Sequence, residues 1–246
     1  MADIEIARSG AVLELTLNRP AKKNALTNAM YRTLNVALDE AERDAGVGAV
    51  LVAGAGDVFS AGNDIGDFVA AAQDGEMAGA DFVRKIAAFP KPLVAAVDGL
   101  AVGIGCTLLL HCDLVYATPE SRFLLPFVDL GLLPEAGASL LLPRRVGMAR
   151  ASAWLLAGES FGADEAFAAG LLNAIPATDS LLTTAREKAA QLAAKPRAAL
   201  MAARKFLRGD TAEILARIEA ELDAFRKALA SPEARAALMA FLNKGK

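Results

Sequence analysis

The chain has 246 residues, 54% of them hydrophobic and 22% charged, with a formal net charge of −3. That length fits one large α/β domain with a small appendage, and the apolar share excludes a chain held open by its own charge. Without a basic excess there is no field to neutralise phosphates, so no nucleic-acid partner is expected.

The N-terminus carries Asp3 and Glu5 where a signal peptide would be basic, and Leu100 to Leu110 is too short and glycine-interrupted to span a bilayer. The expected location is therefore cytoplasmic, with no membrane partner. Cys106, Cys112 and the single His111 lie in one apolar run; they read as small buried hydrophobes and a core histidine, and make no metal site.

In chain order, Ile4 to Ile6, a Ser9-Gly10 turn and Ala11 to Leu17 predict a β-hairpin. Leu13, Leu15 and Leu17 share one face, and Glu14 and Thr16 the other. Thr27 is a candidate N-cap for a helix in which Met30, Leu34, Leu38 and Ala41 recur at helical spacing before Gly46. The apolar runs Ala49–Ala53, Leu93–Val97 and Leu114–Ala117 predict strands buried on both faces. Val69 to Gly79, rich in Ala, Gly and Asp, suits a mobile loop or a loose helix. From about Ser180 the pattern turns helical: Leu181–Ala194, Ala198–Leu207, Ala212–Ala230 and Glu233–Leu242, with breaks at Pro196, Gly209 and Pro232. The apolar stripe Ile214, Ile218, Leu222 suggests a surface that a monomer would leave partly exposed.

Three segments could carry chemistry. Phe59 to Ile65 and Gly99 to Gly105 are glycine turns between an expected strand and an expected helix, where outward N–H groups can hold negative charge. Two such turns converging would form an oxyanion hole, while each alone is equally a tight turn or a close packing contact. Neither has dinucleotide or P-loop spacing. In the third, Leu130 to Ser139, Glu135 stands in an apolar stretch shaped by Pro134 and Gly137. It is either a desolvated carboxyl suited to proton transfer or an acid capping a helix start. Ser139 lacks a nucleophile elbow. Asp64 and Asp67 read as caps, Asp113, Trp154 and Tyr31 as structural, and the basic residues of the C-terminal helices as solvated faces.

Together with Leu17-Asn18-Arg19-Pro20, Asn24-Ala25-Leu26, Ala163-Asp164-Glu165-Ala166 and Gly170-Leu171, these segments resemble the crotonase superfamily along nearly the whole chain. The resemblance implies a spiral of ββα units over residues 1–180 and a helical subdomain over 181–246 that makes trimer contacts. It also implies a homotrimer or hexamer and acyl-CoA thioester substrates, with no cofactor beyond the coenzyme A of the substrate. By position it assigns the oxyanion hole to the N–H groups of Asn63 and Ile104. The acyl-CoA contacts fall to Ala61, Gly62, Asp64 and Ile65, with Lys23 and Ala25 in the loop that meets the nucleotide end. Family hydratases carry two glutamates where this chain has Thr107 and Phe127. Glu135 instead falls where peroxisomal-type Δ3,Δ2-enoyl-CoA isomerases carry their catalytic glutamate. The resemblance thus favours an isomerase over a hydratase, with a non-catalytic acyl-CoA-binding protein as the reading from another class. Dehalogenation, which wants a histidine base, is disfavoured.

Overall fold

The computed structural model describes residues 2–67 and 78–244. All of the Val69–Gly79 stretch except Ala78 and Gly79 lies outside the described residues; those two open a helix. The first sheet contains β1 (Ile4–Ser9), β2 (Val12–Leu17), β3 (Ala49–Gly54), β5 (Leu93–Val97) and β7 (Leu114–Ala117), in the order β1-β2-β3-β5-β7. Only the expected β1–β2 hairpin is antiparallel. The second sheet takes β4 (Val58–Ser60), β6 (Leu100–Val102), β8 (Arg122–Leu124) and β9 (Phe161–Gly162), again parallel except for β9.

From β3 to β8, odd members lie in the first sheet and even members in the second, while β1 and β2 both belong to the first and β9 to the second. From β3 onward each pass lays one strand in the first sheet, turns within a few residues, lays a shorter strand in the second, and returns to the first. Parallel neighbours need such a return path. Between and after the strands run α1 (Asn28–Arg43), α2 (Ala78–Ala88), α3 (Ile104–Thr107), α4 (Ala138–Val146), α5 (Met148–Leu155), α6 (Ala163–Ala168), α7 (Leu181–Ala193), α8 (Arg197–Arg208), α9 (Thr211–Leu229) and α10 (Pro232–Lys244). The result is a spiral of ββα turns followed by helices.

Strands β3, β5 and β7 of the first sheet are buried on both faces, as their apolar runs predict, whereas β1 is exposed beyond Ile4. Leu15, Leu17, Val50, Ala95 and Val115 belong to the main core with Met30, Leu34 and Leu38 of α1, whose N-terminus is capped by Thr27 accepting from Met30 N at 3.2 Å. On the far face Val12, Leu51, Val94 and Tyr116 pack with Leu181, Ala185 and Ala189 of α7. Because α7 covers this face, Glu14 is buried rather than solvated, and Arg186 of α7 pairs with it at 2.9 Å.

Some expectations need correction. The strands of the second sheet have two or three residues, too few to show an alternation, so Leu100–Val102 is a strand inside what reads as a turn. Pro232 is the first residue of α10 and starts that helix rather than breaking one, since its missing N–H costs nothing there. The basic residues of the C-terminal helices are not all solvated: Arg204 is buried, bonding Asp113 at 2.8 Å and the Phe89 carbonyl at 2.7 Å. The Ile214–Ile218–Leu222 stripe is not exposed but packs into the chain's own core, Ile214 and Ile218 beside Gly137. Exposed apolar surface lies instead on α8, at Phe206 and Leu207, each 87% exposed. Among the described residues no helix is long and apolar enough to cross a membrane.

Ile218 is fully buried between the core and the turn before α4. Ile218→Ala should therefore lower stability by about 3 kcal/mol in urea unfolding; a loss below about 1 kcal/mol would mean that α9 is only loosely docked.

Candidate active site

The strands β4 and β6 are parallel neighbours, so the two glycine turns leave the second sheet at the same end. Gly62 adopts φ 88°, and a Cβ there would stand 2.9 Å from the Val102 carbonyl oxygen; a Cβ on Gly105 would meet Ser60 at 3.0 Å. The turns converge because both positions lack side chains. In the first turn Ala61 N–H donates to Lys23 O at 2.8 Å, Gly62 N–H to Ser60 Oγ at 3.1 Å and Asp64 N–H to Leu26 O at 2.9 Å. Asn63 N–H finds no acceptor among the described residues. In the second turn Gly103 N–H bonds Leu124 O, and Cys106 and Thr107 N–H bond Gly103 O, each at 2.9 Å. Ile104 N–H, at the start of α3, likewise has no acceptor among the described residues. Two unpaired amides thus flank the contact between the turns.

The loop from Arg19 to Thr27 is tied along the first turn, with Leu26 N–H donating to Gly62 O at 2.7 Å. Arg19 reaches both Asp64, at 2.7 Å, and the Ala25 carbonyl, at 3.1 Å. The structure therefore brings Lys23, Ala25, Ala61, Gly62, Asp64 and Ile65 to one region, with Lys23 exposed and in the left-handed conformation. Asp64 and Asp67 are caps as expected: Asp64 accepts from Asp67 N at 3.1 Å, and Asp67 from Asn28 N at 2.5 Å.

Glu135 is only 7% exposed. Thr107 of α3 donates to its Oε1 at 2.5 Å, and no described residue donates to its other oxygen. Burial pushes its carboxyl up to about 8, the Thr107 hydroxyl opposing this and the charge of Glu221 adding to it. Such a group can both take and return a proton near neutrality. It is also linked to both turns: Thr107 lies on the helix that Ile104 begins, and Tyr31, whose hydroxyl donates to Asn63 Oδ1 at 2.5 Å, has its own ionisation opposed by burial and by the Glu135 charge.

The capping alternative for Glu135 is settled by α4. That helix begins at Ala138, and its first amides are taken by Glu221 of α9, which accepts from Gly137 N at 2.6 Å and Ser139 N at 2.9 Å. Glu135 is left free of that duty. The chain turns from Glu135 into α4 through left-handed Ala136 (φ 57°) and Gly137 (φ 72°), at a cost of about 1 kcal/mol for a residue with a Cβ. His111 faces the Ala136 carbonyl across 2.7 Å and donates to it. Burial lowers the imidazole to about 3, so His111 stays neutral and structural, as its sequence setting suggests. Asp113 anchors Arg204, Trp154 stacks on Phe161 at 3.6 Å, and both cysteines are buried thiols.

Sequence reasoning missed three participants. Thr107 reads only as the place where a glutamate is lacking, Tyr31 as plain packing, and Glu221 as one acid on an amphipathic helix. The last had a faint signal, an acidic residue between Ile218 and Leu222 on the stripe that packs inward.

The family model for enoyl-CoA hydratase/isomerase matches residues 7–246. The chain belongs to the enoyl-CoA hydratase/isomerase family. Among the members of that family it resembles, a 2,3-dehydroadipyl-CoA hydratase of Escherichia coli is 36% identical over 99% of this chain and 97% of its own. Enoyl-CoA delta isomerase 2 of Rattus norvegicus is also 36% identical, over 98% of this chain, which spans 63% of that relative. A crystal structure of an enoyl-CoA hydratase/isomerase from Pseudoalteromonas atlantica superimposes with a TM-score of 0.94 at 38% identity, covering 99% of this chain and 98% of the other. Hydratase and isomerase names thus occur at the same identity, and the residues of the site must separate them. Within this enoyl-CoA hydratase/isomerase member, Phe127 is a buried apolar side chain and Thr107 a hydroxyl donor, so neither supplies a second acid.

Raised from 4.5 to about 8, the Glu135 carboxyl makes the folded state bind a proton that the unfolded state releases. Stability should then fall as pH rises from about 4.5 to about 8 and level off above. Glu135→Gln removes that loss, so its thermal midpoint should exceed that of the wild type by several degrees at pH 8.5 and match it near pH 5. Equal midpoints at both pH values would show that Glu135 titrates normally.

Proposed function

We propose that the chain is an enoyl-CoA isomerase that moves the double bond of a 3-enoyl-CoA to the 2-position. The observation that carries this reading is the buried Glu135 carboxyl, poised near neutrality, with a threonine where a second acid would be needed to hold water. The thioester makes the C2 proton acidic. Glu135 takes that proton, the C2–H electron pair forms a C1–C2 double bond, and the carbonyl π pair moves onto the thioester oxygen, giving a dienolate conjugated with the C3–C4 double bond. The Asn63 and Ile104 N–H groups stabilise the resulting oxyanion, a donor of this kind being worth about 3 kcal/mol. Glu135 then returns the proton to C4, and the double bond settles between C2 and C3. One flexible base reaching two carbons suffices, and no bound water takes part.

The acyl-CoA would lie along Ala61 to Ile65, with Lys23 and Ala25 toward its nucleotide end. Phe206 and Leu207 support self-association into a homotrimer or a pair of trimers; light scattering at micromolar concentration should give at least three times the chain mass, and a monomer mass would remove that part of the reading.

Hydration is the reading supported by the Escherichia coli relative's name, and it would require Glu135 alone both to activate water and to deliver a proton to the α-carbon. Incubation with 3-enoyl-CoA and 2-enoyl-CoA separately decides between them: isomerisation should be fast and hydration slow or absent. Because the base must be ionised to take the C2 proton, kcat/KM for isomerisation should climb with pH and level off above about 8. Glu135→Gln should lose roughly a hundredfold or more in kcat while still binding acyl-CoA. Near wild-type isomerisation by that variant, or hydration as fast as isomerisation in the wild type, would overturn the proposal.

A further inference from the structure

We propose that Glu221, delivered by the C-terminal helix α9, is a positioning residue for Glu135: it clamps the left-handed turn that aims the Glu135 side chain at the substrate. The inference rests on the reading of Glu135 as the reacting base. Glu221 is buried, at 7% exposure. Its Oε2 accepts from Gly137 N at 2.6 Å, and its Oε1 accepts from Ser139 N at 2.9 Å and Ser139 Oγ at 2.6 Å. All three bonds are received and favour the carboxylate form, opposing the burial that pushes the Glu221 carboxyl up. Gly137 is two residues from Glu135, so the clamp acts on the turn itself. Ala136 sits between them in the left-handed conformation, where His111, through the Ala136 carbonyl, offers a side-chain hold from the other side.

A capping side chain for a nine-residue helix could come from the residue just before it, as Thr27 does for α1. Here Gly137 occupies that place without a side chain, and the cap comes from 82 residues further along the chain. The arrangement sets two buried carboxyls near each other, and this has an electrostatic consequence: the negative charge of Glu221 opposes ionisation of Glu135. The other groups facing the pair are few. Glu135 is met by Thr107 and Cys106 from α3 and by Tyr31 from α1. Glu221 is met by Arg217, which also reaches Ser139 Oγ at 3.3 Å, while the exposed pairs Arg84–Glu219 and Arg144–Glu213 lie on the flanks of α9.

Two substitutions separate reach from charge. Glu221→Gln keeps the length but removes the charge and turns one acceptor into a donor against an N–H; Glu221→Asp keeps the charge but shortens the reach. With 3-enoyl-CoA, both should lose about tenfold in kcat with KM little changed, because the base is misaimed rather than the substrate unbound. Only Glu221→Gln should move the inflection of the kcat/KM profile, and the carboxyl titration of Glu135 followed by 13C NMR, to lower pH. Ser139→Ala removes one donor to Glu221 and leaves the fold intact, and it should reduce kcat severalfold at unchanged KM; it carries the test if the Glu221 variants fail to fold. Wild-type kcat in Ser139→Ala and in every folded Glu221 variant would overturn the proposal, as would losses of kcat that merely follow thermal stability with the Glu135 titration unmoved. The NMR titration needs no turnover, so a shift seen in a protein without isomerase activity would refute the proposed reaction and leave the clamp standing. An active enzyme disabled by Glu135→Gln but indifferent to Glu221→Gln would do the reverse.

Discussion

A carboxyl group with one hydroxyl partner and almost no water loses the solvation that normally keeps a glutamate ionised, and the surroundings of Glu135 are organised around that loss. Thr107 returns a part of it through one short hydrogen bond. Tyr31 and Cys106, which could compete as acids, are themselves held neutral by burial. His111, the one imidazole in the chain, is kept uncharged and occupied by a backbone carbonyl, so it cannot neutralise the carboxylate. The cost of an ionisable group in a dry place is met by the packing of the rest of the domain, as is usual where a group must exchange protons near neutrality.

The two sheets divide the work. The first is longer, and its strands β3, β5 and β7 are buried on both faces, with runs such as Ala49–Ala53 that have no polar side chains to place. It carries none of the candidate site residues. The second is made of strands two or three residues long, too short to be stable by themselves, and their ends approach closely at Gly62 and Gly105. The second layer ends in turns where the Asn63 and Ile104 amides have no acceptor among the described residues.

Legibility in the sequence followed the same division. Periodicity located the first sheet and the C-terminal helices to within a residue or two, because those elements bury whole faces and their patterns run for many residues. The glycine turns were visible as positions, but the strands β6 and β8 beside them were not, since three residues carry no period. Glu135 stood out as an acid among apolar neighbours. Whether it capped a helix depended on which side chain reached the amides of Gly137 and Ser139, and that contact spans more than eighty residues of chain. The inward direction of Ile214, Ile218 and Leu222 was undetermined for the same reason: a stripe shows that a helix face is covered, not by what. Tyr31 was recognisable as a buried ring, while the partner of its hydroxyl was set by how α1 lies over the first turn.

That long span has a consequence for how the molecule is made. Both sheets are complete once β9 has been synthesised, and the first sheet's outer face is covered when α7 follows. A nascent chain at that stage already contains Asn63, Ile104 and Glu135, with the strands that carry them in place. The amides at the start of α4 still lack their acceptor until α9 leaves the ribosome. The order of synthesis therefore places the acceptor for those amides, and the core residues Ile214, Ile218 and Leu222 that come with it, after every strand of both sheets. A chain released before α9 would leave the Gly137 and Ser139 amides without this carboxylate.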